Sequence, residues 1–163
     1  SNNVVRKNAV SWLVGTPAGV KPEWAMGVSH NEFTSNTKQA QQSSKWLRCN
    51  HNRIFTYNHL ENNTGRGSDS GASLAFDECT NRNLEYIITN NNFVNNDFDY
   101  VVISPRVPFQ ESTTPLNFTN NYWGTTTQEG VEAMIKSFED PFLYREIAYQ
   151  PFQTSPIPEA GVE

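Results

Sequence analysis

Apolar and small side chains alternate with polar ones in short blocks along this chain, and each block is anchored by asparagine. Asn31-Glu32-Phe33-Thr34-Ser35-Asn36 recurs as Asn58-His59-Leu60-Glu61-Asn62-Asn63 and as Asn91-Asn92-Phe93-Val94-Asn95-Asn96. A fourth copy is read from Asn120 and a weaker fifth from Asn2, which sets the first asparagines 29, 27, 33 and 29 positions apart. Two residues after them stand Val4, Phe33, Leu60, Phe93 and Tyr122; four before stand Ile54, Ile87 and Leu116, with Gly27 as the exception. Two before stand Ser29, Thr56, Thr89 and Phe118, and a second asparagine column follows at Asn36, Asn63 and Asn96. Apolar or small residues at even offsets mark strands with one face on a core, and the blocks hold too many β-branched and aromatic residues for a helical repeat. The odd column three before the first asparagine is expected to face outward, yet it carries Val28, Phe55 and Ile88 ahead of Asn117. Packing under the Lys38–Trp46 segment, with Trp46 as a lid, is the expected account of that strip, and a partner surface is the alternative.

A unit of about 30 residues made of short strands and tight corners, stacked at the roughly 4.8 Å strand spacing, predicts an all-β chain built as a parallel β-helix. Asparagine suits its corners because it tolerates left-handed backbone and can bond to the same residue one layer away. The expected ladder is Asn31, Asn58, Asn91 and Asn120. One helix is predicted over Gln128–Glu139, capped by hydroxyls in Thr125–Thr127, with Val131, Met134, Ile135 and Phe138 along an apolar face that packs on the solenoid or covers its end. Loops are predicted at Gly15–Trp24, Lys38–Lys45, Thr64–Gly71 and Pro105–Pro115.

The stretch Asn120-Asn121-Tyr122-Trp123-Gly124-Thr125, followed by Ile135, Asp140 and Tyr149-Gln150-Pro151-Phe152, resembles right-handed parallel β-helix repeat proteins of the pectate-lyase-like kind. It is similar to the extracellular β-helix modules of the Bark beetle (Anakonda) family of animal tricellular-junction proteins and to bacterial surface β-helix proteins. The resemblance implies a right-handed parallel β-helix solenoid of about five coils with one short C-terminal helix. Residues 1–163 are then one segment: coils over 1–124, the helix within 125–140, a final strand and tail over 141–163. The whole is expected to be the C-terminal part of a longer solenoid. Adhesion or cell-junction organisation, without catalysis, is the function it implies.

Composition narrows the partners. The chain has 20 Asn, 14 Thr and 13 Ser, while charged residues make up only 18% and aromatic residues 12%. Such an aromatic content does not describe a disordered tail. Twelve basic against seventeen acidic residues point away from nucleic acid and anionic membrane, leaving a protein partner or a surface glycan. No apolar run reaches the roughly 18 residues of a membrane span, and the first residues show no signal-peptide pattern.

Candidate chemistry is thin. Asn62-Asn63-Thr64 and Asn117-Phe118-Thr119 are N-glycosylation sequons, at Asn62 and Asn117. Cys49 and Cys79 stand one repeat apart, so neighbouring layers would bring them within disulfide reach; two buried thiols are the alternative. A disulfide with occupied sequons predicts a secreted or cell-surface location. Asp97 and Asp99 are the weak catalytic candidates, with Asp77-Glu78 as a second acidic pair and Arg53, Arg82 and Arg106 as possible cations. They support the alternative of a polysaccharide-binding or polysaccharide-cleaving module, on which Trp12, Trp24 and Tyr100 would stack sugars. The three histidines have no ligand spacing, so neither a metal nor a cofactor is expected.

Overall fold

A computed structural model of the chain describes residues 2–6, 26–35, 37–38, 53–65, 72–75, 86–98, 100–103, 115–136 and 146–162. Four sheets run through them. One joins β1 (Val4–Arg6), β3 (Glu32–Thr34), β6 (His59–Glu61) and β10 (Asn92–Val94). A second takes β15 (Ile147–Ala148), β13 (Leu116–Asn117), β9 (Tyr86–Thr89), β5 (Arg53–Thr56) and β2 (Met26–Ser29), in that order. Two three-stranded sheets hold β11 (Asp97–Phe98), β7 (Thr64–Gly65) and β4 (Thr37–Lys38), and β14 (Ile135–Lys136), β12 (Tyr100–Ile103) and β8 (Ala72–Ala75). Every pairing between these strands is parallel.

The right-handed β-helix solenoid of about five coils is corrected by this architecture. The finding is several short all-parallel sheets and one six-residue helix, α1 (Gln128–Ala133). Every interval between successive ladder asparagines includes residues outside those described, and no complete coil is present among the described ones. The physical reason lies in what a repeat encodes. Period and spacing specify which strands pair and in what register, but parallel strands need long crossovers whose path the alternation does not carry.

Two columns of side chains make the core. Phe33, Leu60, Phe93 and Trp123 come from the side of the four-stranded sheet, and Phe55, Ile88 and Phe118 from the five-stranded one, all at most 5% exposed. They meet across the interior: the Phe33 and Phe55 rings lie 6.4 Å apart, those of Phe118 and Trp123 6.3 Å. Tyr86, Leu116 and Ile147 extend the second column's sheet inward as well. Full burial of each such side chain contributes roughly 1.5–3 kcal/mol.

The strip expected to face out under a Trp46 lid is therefore core. Phe55 and Ile88 are fully buried, whereas Ile54, assigned to the interior, is 37% exposed. The corner explains the swap. His30, Tyr57, Asn90 and Asn120 each hold a φ between 53° and 59° immediately before a rung of the ladder. A left-handed residue breaks the pleat, so side-chain parity before the corner no longer predicts parity after it. Trp46 itself lies outside the described residues.

The fourth and fifth copies are shifted by one residue. Val4 pairs with Glu32 and is 49% exposed; Val5 takes the place opposite Phe33. Trp123 is fully buried, while Tyr122 bridges to Asn92. The helix also ends early. Thr127 Oγ1 accepts from Gly130 N at 3.1 Å to start it, but beyond Met134 the chain pairs as β14 with Val102 and Ile103 of β12. Ile135 is thus a strand residue packed on the core, and Phe138 lies outside the described set.

Gly124, next to Trp123, adopts φ 75°, and a Cβ there would stand 2.9 Å from the Phe93 carbonyl oxygen. That neighbour is backbone and cannot step aside. Gly124→Ala is expected to lower stability by about 2 kcal/mol through left-handed strain alone, with the contact adding to it. Gly27→Ala, where a Cβ meets nothing within 4 Å, serves as the control in the same urea titration.

Candidate functional site

The most organised polar feature is a column of carboxamides, exposed at Asn3 and buried from Asn31 onward. From Asn3 through Asn31, Asn58 and Asn91 to Asn121, each backbone N–H and each side-chain Nδ2 donates to Oδ1 of the next residue, at 2.8–3.1 Å. The steps are 28, 27, 33 and 30 residues. The amide group donates onward to carbonyls at the corner: Asn58 to Thr56 and Val28, Asn91 to Thr89 and Phe55, Asn121 to Phe118 and Ile88. These bonds satisfy carbonyls beside the left-handed corners; the Thr56 carbonyl also accepts from His30 N at 3.4 Å.

Asn120 is not a rung. It occupies the left-handed corner position, and its N–H donates to the Pro151 carbonyl. Asn121 takes the rung, as Asn3 does in place of Asn2. A signal in the sequence marks this: Ser29-His30-Asn31, Thr56-Tyr57-Asn58, Thr89-Asn90-Asn91 and Thr119-Asn120-Asn121 share a hydroxyl two residues before the rung. Alignment on doublet asparagines hid it. A second column joins Asn63 to Asn96, whose Nδ2 groups also reach the carbonyls of Phe33 and Leu60; Asn36 lies outside the described residues.

The outer face of the four-stranded sheet carries Glu32, His59 and Asn92 in register. The C-terminal tail crosses it. Asn92 clasps Ile157 by accepting its N–H at 2.8 Å and donating to its carbonyl at 2.9 Å. Four residues on, Gly161 N donates to the Tyr57 carbonyl at 2.9 Å, beside His59. Sequence reasoning missed this strap because a lone Asn–Ile contact across 65 residues has no local signature.

A second cluster is exposed. Tyr149 Oη donates to Glu132 Oε1 at 2.6 Å, and Gln128 Nε2 donates to the same oxygen at 2.8 Å. Both bonds favour the carboxylate, the Tyr149 bond most, so Glu132 titrates below the usual carboxylate range; the Glu132 bond is likewise what raises the Tyr149 phenol. The signs give opposite windows. Glu132's contribution is present at neutral pH and lost as pH falls through its depressed pKa; Tyr149's is present below the ordinary phenol pKa and lost as pH rises through its elevated one. Tyr149→Phe is expected to raise the Glu132 pKa towards its ordinary value and flatten both limbs, read by carboxyl NMR titration and by melts at the two pH extremes.

Asp97 is exposed on β11, its N–H bonded to the Asn63 carbonyl, while Asp99 lies outside the described residues. The same holds for Cys49, Cys79, Trp12, Trp24, Arg82 and Arg106, and for nearly all of the four expected loops. Among the described residues no group of three His, Cys, Asp or Glu side chains converges as a metal site, and no helix is long and apolar enough to cross a membrane. The sequons are differently placed. Asn62 is exposed at a left-handed corner, with Thr64 following on β7; Asn117 is exposed on β13 between buried Leu116 and Phe118.

No protein-family model, curated protein or solved structure matches this chain.

Proposed function

We propose that this chain is a non-catalytic scaffold and binding module of a large secreted or membrane-anchored cell-surface protein, acting in adhesion or cell-junction organisation. One observation carries the reading. The asparagines of the ladders spend their Nδ2 groups inside the molecule, whereas both sequon asparagines stand exposed and their Nδ2 groups donate to nothing among the described residues. Such sites are open to glycan addition. The amide ladder and parallel sheets supply stiffness, and a stiff support presenting loops suits adhesion without needing tuned acids or bases. A protein partner or a surface glycan is the ligand class this charge balance favours.

Intact mass of protein from a eukaryotic secretory host, before and after deglycosylation and thiol labelling, tests it. Glycan on Asn62 or Asn117 with no free thiol is the expected result. Bare asparagines with two free cysteines would sink the reading as an adhesion module outside an animal cell and favour a microbial surface protein.

A further inference from the structure

The outer face of the five-stranded sheet bears a row set by register. Gly27 lies opposite Ile54, Ile54 opposite Ile87, Ile87 opposite Asn117, and Asn117 opposite Ala148. The row is apolar except at Asn117, which is exposed; Ile54 is 37% exposed and Ile87 is half-buried. At about 4.8 Å per strand, Ile87 is one spacing from Asn117 and Ile54 two.

Asn117 is also the sequon whose acceptor geometry is already made. Its Oδ1 accepts from Thr119 Oγ1 at 2.9 Å and from Thr119 N at 3.1 Å, while Nδ2 has no hydrogen-bond partner among the described residues. Two donors on the amide oxygen draw electron density from nitrogen and acidify its protons. The turn is local, spanning residues 117–119, so it can form before the strands pair. Asn62 differs: it sits at φ 53°, and Thr64 is held in β7 by strands on both sides.

We propose that Asn117 is the principal N-glycan acceptor of this chain and that the first sugars of that glycan lie along the Ile87–Ile54 row. The inference rests on the extracellular reading above. In the transfer, Asn117 Nδ2 bonds to the anomeric carbon of an oligosaccharide carried on a lipid diphosphate. The bond from that carbon to the diphosphate oxygen breaks with its electron pair, and one Nδ2 proton passes to a carboxylate of the transferase. Nothing is oxidised or reduced. The C–H face of the attached N-acetylglucosamine then meets the two isoleucines, removing apolar surface from water.

The whole chain, secreted from a eukaryotic host, is compared with Asn62→Gln, Asn117→Gln, Thr119→Ala and Thr119→Ser. Glycopeptide mass spectrometry reads occupancy, and anilinonaphthalene sulfonate fluorescence reads exposed apolar surface. Occupancy at Asn117 several-fold above Asn62 is expected, abolished by Thr119→Ala and retained in part by Thr119→Ser. Trimming to a single N-acetylglucosamine should leave dye binding low, and Asn117→Gln should raise it several-fold. An Ile54→Ser, Ile87→Ser double substitution should cancel that rise. Glycan on Asn62 alone overturns this inference and leaves the extracellular reading standing; two bare sites overturn both. An occupied Asn117 with unchanged dye binding in Asn117→Gln refutes the covering.

Discussion

Asn91→Asp is expected to destabilise the chain by at least ~3 kcal/mol, although it exchanges one NH2 group for one oxygen of nearly equal size. Asn91 is fully buried. Its Nδ2 donates to the carbonyls of Phe55 at 2.8 Å and Thr89 at 3.1 Å and to Asn121 Oδ1 at 3.0 Å. An aspartate at this position has no side-chain donor, so the carbonyls of Phe55 and Thr89 face an oxygen instead, and Asn121 Oδ1 keeps only the Asn91 backbone N–H at 2.8 Å. Oδ1 at position 91 still accepts from Asn58 N and Nδ2, as at 2.9 and 3.1 Å now, but this restores only one side of the rung. The buried charge adds a desolvation cost of several kcal/mol before relaxation. The control is its neighbour. Asn90 lies at a left-handed corner and is part-exposed, so Asn90→Asp should stay within about 1 kcal/mol. Urea titrations followed by circular dichroism decide it; equal costs at positions 90 and 91 would mean that the ladder is not what holds the corners.

Trp123→Ala is expected to cost about 3–5 kcal/mol, the range for removing a large aromatic from a core. Trp123 is fully buried against Phe93, with ring centroids 5.3 Å apart, and against Phe118. Trp123→Phe should cost much less, and the reason is specific. The indole Nε1–H is buried with no hydrogen-bond partner among the described residues, so tryptophan already bears a desolvation penalty there. Phenylalanine gives up ring area and relieves that penalty, for a net loss of about 1–2 kcal/mol. Denaturant midpoints of the three proteins order the outcome. If Phe is as damaging as Ala, the unpaired N–H is not a burden, and ring shape alone governs the site.

Legibility followed the range of the interaction. The alternation around Phe33, Leu60 and Phe93 could be read because side-chain direction within one strand depends on its own backbone alone. It failed at Phe55 and Ile88 because a left-handed corner lies between them and the asparagine used as origin, and at Tyr122 because Asn120 and Asn121 look alike until one asks which carries the corner. Helix α1 was visible through Thr127 and Val131, but its end was not, since β-pairing of Ile135 with Val102 competes with one more helical turn. The sequon residues were legible as letters. Which of them has its amide oxygen already engaged by a threonine was not.

By itself the sequence determined a repeating set of short strands punctuated by asparagine, a core of aromatic and aliphatic columns, and the positions of two sequons. These follow from residue chemistry within a few positions. Tertiary structure alone decided which asparagine of each doublet enters the ladder, which face of β5 and β9 is buried, and that Asn92 clasps the tail at Ile157. It also replaced the expected solenoid of coils with separate all-parallel sheets. All four depend on partners about 30 residues or more away, and strand pairing at that distance is fixed by packing the whole set of layers together, a condition no single repeat contains.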